Sequence, residues 1–127
     1  MPAAHALSRL HQIAQPIADI DRAVAFYRDV LGLPLLFTAP PNLAFFDCAG
    51  VRLMLSPPSP GHDHPGSVLY FAVDDIQAAH DALQARGAVF TGAPAKIATL
   101  ADREVWLAGF TDSEGNALAL MSEPRLG

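Results

Sequence analysis

Three side chains that commonly bind metals stand in a row at His62, Asp63 and His64, within the segment PPSPGHDHP. Imidazole and carboxylate groups are frequent ligands of zinc and other divalent metals. The segment also holds four prolines and a glycine, which is typical of a surface connection, and such connections often carry solvated polar residues. We therefore favour a solvated loop, with a metal site as the alternative.

Cys48 is the single cysteine of the chain. A thiol acts as a nucleophile when an adjacent base activates it, but no partnered base stands near Cys48 in the sequence. We predict a small buried hydrophobic residue at this position. One cysteine also excludes an intrachain disulfide, which agrees with a reducing compartment.

The elements that must position such residues follow a pattern that occurs twice. Residues 12–33, QIAQPIADIDRAVAFYRDVLGL, match residues 68–89 when Asp19 is aligned with Asp75. In each copy an apolar run ends at an aspartate suited to N-capping, apolar residues follow at helical spacing, and Gly32 or Gly87 stands where a helix would end. Each copy predicts a strand, a turn and a helix. The repeat continues, since GVRLML at residues 50–55 is echoed by GNALAL at residues 115–120.

The remaining strands are predicted from apolar runs between turn residues. In chain order, we predict strands at residues 10–17, 33–38, 43–47, 51–56, 67–73, 88–91, 104–111 and 116–121. Residues 92–102 have no clear period and are predicted mostly as loop, and the tail from Ser122 is predicted to fray. His5 and His80 are predicted at the surface. The whole chain, 1–127, is then one α+β domain of two tandem β-α-β-β-β modules, residues 8–56 and 67–122, with a linker at residues 57–66.

Composition excludes several classes of function. The 127 residues are 51% hydrophobic, enough to bury a core, and their net charge of −5 disfavours nucleic acid as a partner. The first residues lack the pattern of a signal peptide, and no apolar run approaches the roughly 20 residues of a membrane helix. We expect a soluble cytoplasmic protein with no membrane partner.

The sequence resembles the vicinal oxygen chelate superfamily, which includes glyoxalase I, bleomycin-resistance proteins, extradiol dioxygenases and methylmalonyl-CoA epimerase. The motif AxxFYRDVLGL around Phe26 and Tyr27 and the motif FTDSEGNALALM at residues 110–121 carry this resemblance. It covers nearly the whole chain. It implies two modules whose sheets curl round a cup.

Metal-dependent members of that superfamily place one ligand on the first strand and one on the last strand of each module. The resemblance transfers these positions to Gln12, Met54, Val68 and Ala119. Valine and alanine have no lone pair to donate, methionine sulfur suits soft ions, and one neutral amide cannot hold a metal. A strand register that recruits His11 instead would turn a polar face into the core. The resemblance therefore implies a degenerate metal site, and we predict no cofactor, with a divalent metal as the alternative.

Strand alternation extends these positions to a lining of the cup, because residues two apart share a face. The predicted ligand-binding residues are Gln12, Arg52, Met54, Val68, Tyr70 and Ala119. The residues predicted to face the helices are Leu53, Leu55, Leu69, Phe71, Leu118 and Leu120. Arg52 is the most informative residue, because a buried guanidinium needs a carboxylate, phosphate or carbonyl partner. The alternative is that Arg52 reaches solvent or an acidic neighbour.

These features favour a metal-free protein of the bleomycin-resistance kind that binds or sequesters a small organic molecule. One alternative is a lyase, isomerase or dioxygenase-type enzyme of the same superfamily, either metal-free with Tyr70, Arg52 or Glu104 in acid-base or electrostatic roles, or with unconventional metal ligands. Another is a structural or regulatory module with a vestigial pocket.

Trp106 is predicted as a core or interface residue, with ligand stacking as its alternative. A homodimer is expected, since paired modules leave sheet edges to cover.

Overall fold

The first half of the chain forms a four-stranded sheet. A computed structural model describes residues 6–58 and 65–127. Its first strands are β1 (Gln12–Pro16), β2 (Leu35–Ala39), β3 (Leu43–Cys48) and β4 (Val51–Ser56), in the spatial order β1-β4-β3-β2. Strand β1 is parallel to β4, and the other pairs are antiparallel. Helix α1 (Ile20–Ala25) lies between β1 and β2 and continues as a π-helical turn, Phe26–Val30.

The second half repeats this plan with one strand more. Strand β5 (Leu69–Ala72) precedes helix α2 (Ile76–Ala85), and four strands follow: β6 (Val89–Phe90), β7 (Ala95–Thr99), β8 (Glu104–Thr111) and β9 (Ala117–Ser122). The order is β5-β9-β8-β6, and β7 also pairs with β8. The predicted loop at residues 92–102 is therefore wrong over β7. An irregularity between Lys96 and Ala98 interrupts the pairing of β7 with β8, and it hides the period of two in the sequence.

The helix boundaries agree with the capping signals of the sequence. The side chain of Asp19 accepts a hydrogen bond from the backbone N–H of Arg22, and Asp75 accepts one from Ala78. Gly32 and Gly87, which follow the helices, have φ of 75° and 107°, a region that glycine enters without steric cost. Each half therefore begins its helix at the aspartate that the repeat aligned.

One core joins both sheets and both helices. It includes four of the residues predicted to face the helices, Leu53, Leu55, Leu118 and Leu120, each at most 2% exposed, and Leu69 and Phe71 of the same prediction are partly buried against it. Because these four leucines are buried, they mark the inner face of each sheet. Burying a leucine completely contributes about 1.5–3 kcal/mol to stability. The two sheets and two helices confirm the predicted α+β fold class.

The buried Asp112 and the partly buried Asn116 of the β8–β9 turn hold the halves together. Asp112 accepts hydrogen bonds from the Tyr27 hydroxyl at 2.7 Å and from the backbone N–H groups of Glu114 and Asn116 at 2.8 Å. The amide of Asn116 donates to Asp112 and to the backbone carbonyl of Pro16 at the end of β1. The turn of the second half is thereby fixed against α1 and β1 of the first.

Glu114 makes the second connection, at the start of α1. It accepts hydrogen bonds from the backbone N–H groups of Ala18 and Asp19 and forms an ion pair with Arg22 at 2.7 Å. The Glu114 side chain is only 2% exposed. Carboxylates are favourable near the first turn of a helix, where N–H groups lack backbone partners.

Two further predictions about the surface are wrong. The tail beyond Ser122 is held, because the backbone N–H of Glu104 donates to the carbonyl of Pro124 and the N–H of Leu126 donates to that of Asp102. His80 is 8% exposed and packs on the Phe90 ring, with ring centroids 4.3 Å apart. His5 lies outside the described residues. No helix in the described part of the chain is long and apolar enough to cross a membrane.

Candidate functional site

Three of the predicted ligand-binding residues lie together on the outer face of the first sheet. The β1–β4 ladder places Gln12 beside Arg52 and Ala14 beside Met54. Leu53 and Leu55, which alternate with Arg52 and Met54, are in the core, so Arg52 and Met54 face away from it. The predicted alternation along these two strands is confirmed.

Arg52 is fixed on this face by an amide and two aromatic rings. Its Nε donates to Gln12 Oε1 at 2.7 Å, and its guanidinium carbon lies 5.2 Å from the ring centroid of Phe45 and 5.9 Å from that of Phe37. The two rings are stacked, with centroids 4.4 Å apart and an angle of 24° between their planes. The other end of the Gln12 amide contacts Met54 Sδ at 3.8 Å. We call Gln12, Phe37, Phe45, Arg52 and Met54 the Arg52 cluster.

The charge of Arg52 is not neutralised within the described part of the chain. Asp47 is its neighbour across the β3–β4 ladder, but Asp47 accepts a hydrogen bond from the backbone N–H of Gly50, and no carboxylate there forms an ion pair with Arg52. Among the described residues, the terminal amino groups of the guanidinium make no hydrogen bond. Arg52 is half-buried and keeps donors for a further partner.

Phe37 and Phe45 were not among the residues predicted from the sequence, although the signal for Phe45 was present. Phe45 lies opposite Met54 in the β3–β4 ladder, and Phe37 lies opposite Phe45 in the β2–β3 ladder. Carrying the alternation from Met54 back through the turn at Ala49 and Gly50 would have put Phe45 on the same face.

The other three predicted ligand-binding residues, Val68, Tyr70 and Ala119, lie on or beside the second sheet, apart from the Arg52 cluster. Tyr70 is beside Ala119 in the β5–β9 ladder, so these two share a face of the second sheet. Tyr70 is 55% exposed, whereas Ala119 is 5% exposed. Val68 precedes β5 and is 47% exposed.

A cavity of about 690 Å³ connects Arg52 with the second half. Its lining includes Arg52, Val68, Tyr70 and the acidic Asp47, and it is otherwise mainly apolar, with Leu33 and Phe71 among the lining side chains. Gln12, Met54 and Ala119 do not line it. The structure thus brings Gln12, Arg52 and Met54 into contact and joins Arg52 to Val68 and Tyr70 through the cavity. A single ligand site made of all six residues stays a prediction.

Cys48 and Trp106, two further candidates from the sequence, lie in different surroundings. Cys48 also lines the cavity, and burial together with the nearby Asp47 charge raises the pKa of its thiol, which opposes thiolate formation. Trp106 packs against the core and donates its indole N–H to Glu104 at 3.0 Å, in agreement with the core interpretation. His62, Asp63 and His64 lie outside the described residues.

The residues at the four transferred metal positions do not fit a divalent metal. Gln12 Oε1, the hard donor among them, already accepts a hydrogen bond from Arg52. A divalent ion 4 Å from a guanidinium would be repelled by on the order of 8 kcal/mol at an effective dielectric constant of roughly 20. Within residues 6–58 and 65–127, no group of three His, Cys, Asp or Glu side chains is arranged to hold a metal.

Residues 9–120 match the family model described as Glyoxalase/Bleomycin resistance protein/Dioxygenase superfamily. No curated protein matches the sequence. Among solved structures, the chain resembles a lactoylglutathione lyase from Agrobacterium tumefaciens, with a TM-score of 0.77 and 23% sequence identity. The match covers 91% of this chain and 94% of that chain. TnmS3, an antibiotic binding protein from Streptomyces sp. CB03234, has a TM-score of 0.73 and 25% identity, over 93% of this chain and 98% of that chain. This chain also resembles the structure of a superfamily member from Sphaerobacter thermophilus, with a TM-score of 0.75 and 22% sequence identity. The match covers 92% of this chain and 98% of that chain.

Proposed function

The chain belongs to the Glyoxalase/Bleomycin resistance protein/Dioxygenase superfamily, and from this membership we propose that it is a metal-free protein that binds or sequesters a small organic molecule against Arg52. The similarity to TnmS3, an antibiotic binding protein, supports a binding role. The likeness to the lactoylglutathione lyase, at 23% identity, supports the fold and not the lyase reaction.

The observation on which this proposal depends is the half-buried, unneutralised guanidinium of Arg52. Partial burial of a cation costs free energy unless a partner compensates it, and here the compensation is one amide oxygen and two aromatic rings. The adjoining cavity of about 690 Å³ lies within the 300–1,000 Å³ range usual for small-molecule pockets. A mainly apolar lining with a few polar groups is the usual composition of such a pocket.

Truncating Arg52 tests this role. A thermal-shift screen of metabolites and drugs first identifies a ligand, since saturation at about 100 times the dissociation constant adds roughly 2.7 kcal/mol to the free energy of unfolding. For an anionic or carbonyl ligand, Arg52→Ala is expected to weaken binding by about 1.5–3 kcal/mol in titration calorimetry, the usual strength of a charged hydrogen bond. Val68→Ala is expected to cost less than that.

Arg28→Ala is the matched control for charge, because Arg28 is a surface arginine paired with Asp29. It is expected to leave the affinity unchanged. Equal affinities of the wild type and Arg52→Ala for the identified ligand would refute the proposed function.

Metal loading tests the metal-free part of the proposal. Dialysis against magnesium, nickel, zinc or iron, followed by elemental analysis, is expected to leave less than one equivalent of metal per chain. Stoichiometric metal that is lost in Gln12→Ala would instead establish a metal site at Gln12. In the described part of the chain, no observation favours lyase, isomerase or dioxygenase chemistry over binding.

We also propose that two copies of the chain form a homodimer. Strands β1 and β5 each lie at the end of their sheet, with no strand paired to the outer edge within the described residues. Exposed apolar side chains accompany both edges: Leu10 is 64% exposed and Val68 is 47% exposed. Proteins usually cover or charge such edges, and a second copy would cover them here.

A further inference from the structure

We propose that the ligand of the Arg52 cluster is an organic anion whose charged group is conjugated to a planar ring, such as an aromatic carboxylate. This inference rests on the proposed function, because it names the class of molecule that binds against Arg52. It places the ring of the ligand on the outer face beside Phe37, which does not line the cavity. Two features of the outer face of the first sheet lead to it: an exposed aromatic surface and a cation fixed in one plane beside it.

The aromatic surface is provided by Phe37. Phe37 is 47% exposed although its ring stacks on that of Phe45, which is 8% exposed. The buried Phe45 ring packs against one side of the Phe37 ring, and much of Phe37 remains accessible on the outer face. Aromatic rings prefer offset-stacked or edge-to-face contacts with other rings, so Phe37 offers a surface that matches a planar ligand better than a branched aliphatic one.

The cation is fixed by its hydrogen bond to Gln12. Because Nε donates to Gln12 Oε1 and the guanidinium lies over Phe45 and Phe37, the orientation of its plane is constrained. A guanidinium held in this way presents its remaining N–H groups as a rigid fork, which matches the two oxygens of a carboxylate. A lysine would supply the same charge without the fork or the stacking.

The two features together favour a planar anion over other ligand classes. A cationic ligand would be repelled by Arg52, and an aliphatic anion would leave the exposed Phe37 surface without a matching partner. Met54 adds a polarizable sulfur beside Gln12, and such sulfur contacts the edges of aromatic rings favourably. A planar ring bearing a carboxylate satisfies the rings and the cation at once.

Three matched probes separate these contributions: 2-naphthoate, its neutral amide 2-naphthamide, and cyclohexanecarboxylate. In titration calorimetry with the wild type, 2-naphthoate is expected to bind at least about tenfold more tightly than either of the others, since each lacks one of the two contacts. Phe37→Leu is expected to weaken 2-naphthoate about 2- to 10-fold and to leave cyclohexanecarboxylate unchanged. Phe37→Tyr keeps the ring and is expected to retain affinity, which separates ring loss from a folding defect.

Arg52→Lys is expected to weaken 2-naphthoate by about tenfold, because it keeps the charge but loses the fork. Ile97→Ala is the control, since Ile97 is an exposed apolar residue on β7 of the other sheet. Equal affinities for 2-naphthoate and 2-naphthamide, or no binding of 2-naphthoate at millimolar concentration, would overturn the inference. A screened ligand of another class that still requires Arg52 would leave the proposed function standing. A screened ligand indifferent to Arg52→Ala would refute the proposed function itself.

Discussion

Gln12 and Arg52 carry the proposal of a metal-free site at the scale of single residues. At the position where a metal ligand would be expected, the oxygen of Gln12 accepts a hydrogen bond from a guanidinium at 2.7 Å. In the proposed function, the cation that meets a ligand on the outer face is the guanidinium of Arg52. If that proposal is correct, the affinity for an anion is expected to be the same with and without a chelator.

Gln15 is the residue whose burial is hardest to reconcile with its chemistry. It lies on β1 with its side chain on the core face and is 0% exposed. Neither Nε2 nor Oε1 makes a hydrogen bond of good geometry among the described residues, although the amide lies close enough to the Tyr27 hydroxyl to oppose the rise in its pKa. A buried polar group without a partner costs about 1–3 kcal/mol.

Gln15→Met is therefore expected to raise the free energy of unfolding by about 1–3 kcal/mol, because methionine has a similar shape and no amide to desolvate. Urea denaturation followed by circular dichroism measures the change. The same substitution at Gln12, on the opposite face of β1, is the control and is expected to give no such gain. A loss of stability in Gln15→Met would show that its amide is satisfied, for example by buried water.

At the scale of elements, the β8–β9 turn connects the second sheet to α1. Tyr27 is completely buried, and its hydroxyl donates to Asp112 at 2.7 Å. Burial and the Asp112 carboxylate both raise the pKa of the Tyr27 hydroxyl, so it stays protonated and remains a donor.

Tyr27→Phe is expected to lower the free energy of unfolding by about 1.5–3 kcal/mol, the usual contribution of a hydrogen bond to a charged group. Tyr70→Phe is the matched control, because Tyr70 is 55% exposed, and it is expected to change stability by no more than about 0.5 kcal/mol. Both values come from urea denaturation. Equal effects of the two substitutions would mean that the Tyr27–Asp112 contact does not join the halves.

Glu114 makes the connection at α1 dependent on pH. Its hydrogen bond with Arg22, assisted by the backbone N–H groups of Asp19 and Ala18, lowers the pKa of Glu114 from 4.5 to about 2. Because the folded pKa lies below the unfolded one, the stabilisation is complete above about pH 4.5 and is lost as the pH falls towards 2.

Glu114→Gln is expected to cost about 1–2 kcal/mol at neutral pH, a value reduced because Arg22 is half-exposed, and clearly less at pH 3. The test compares urea denaturation of the wild type and the variant at both pH values. Glu123→Gln is the control, because Glu123 is a partly exposed residue with a longer ion pair to Arg103. A cost for Glu114→Gln that is the same at both pH values would contradict the assignment.

At the scale of the whole molecule, the proposed homodimer is tested by mass in solution. Multi-angle light scattering at micromolar concentration is expected to give twice the 13.5 kDa of one chain. Val68→Lys, which charges the approach to β5, is expected to shift the mass towards one chain. Val89→Lys is the control on β6, where Val89 is 70% exposed. A monomeric wild type would end the proposal.

The sequence by itself determined the local features of both halves. The aspartates that cap the helices, the bounds Val51–Ser56 and Glu104–Thr111, and the alternation that separates Arg52 from Leu53 all depend on neighbouring residues, so they can be read from spacing. Local signals failed where pairing overrides them. Strand β7 and the tail near Pro124 are held by β8 or its flanking residues, and nothing in their own composition shows this.

Only the tertiary structure decided how the predicted site residues are grouped. Periodicity shows which face a side chain takes, but the placement of one sheet against the other depends on contacts far apart in sequence, such as Tyr27 with Asp112 and Arg22 with Glu114. Those contacts bring Arg52 to a cavity with Tyr70 and leave Gln12 outside it. Phe37 joined the Arg52 cluster for the same reason, because ring stacking across β2 and β3 is a product of strand pairing and not of spacing along one strand.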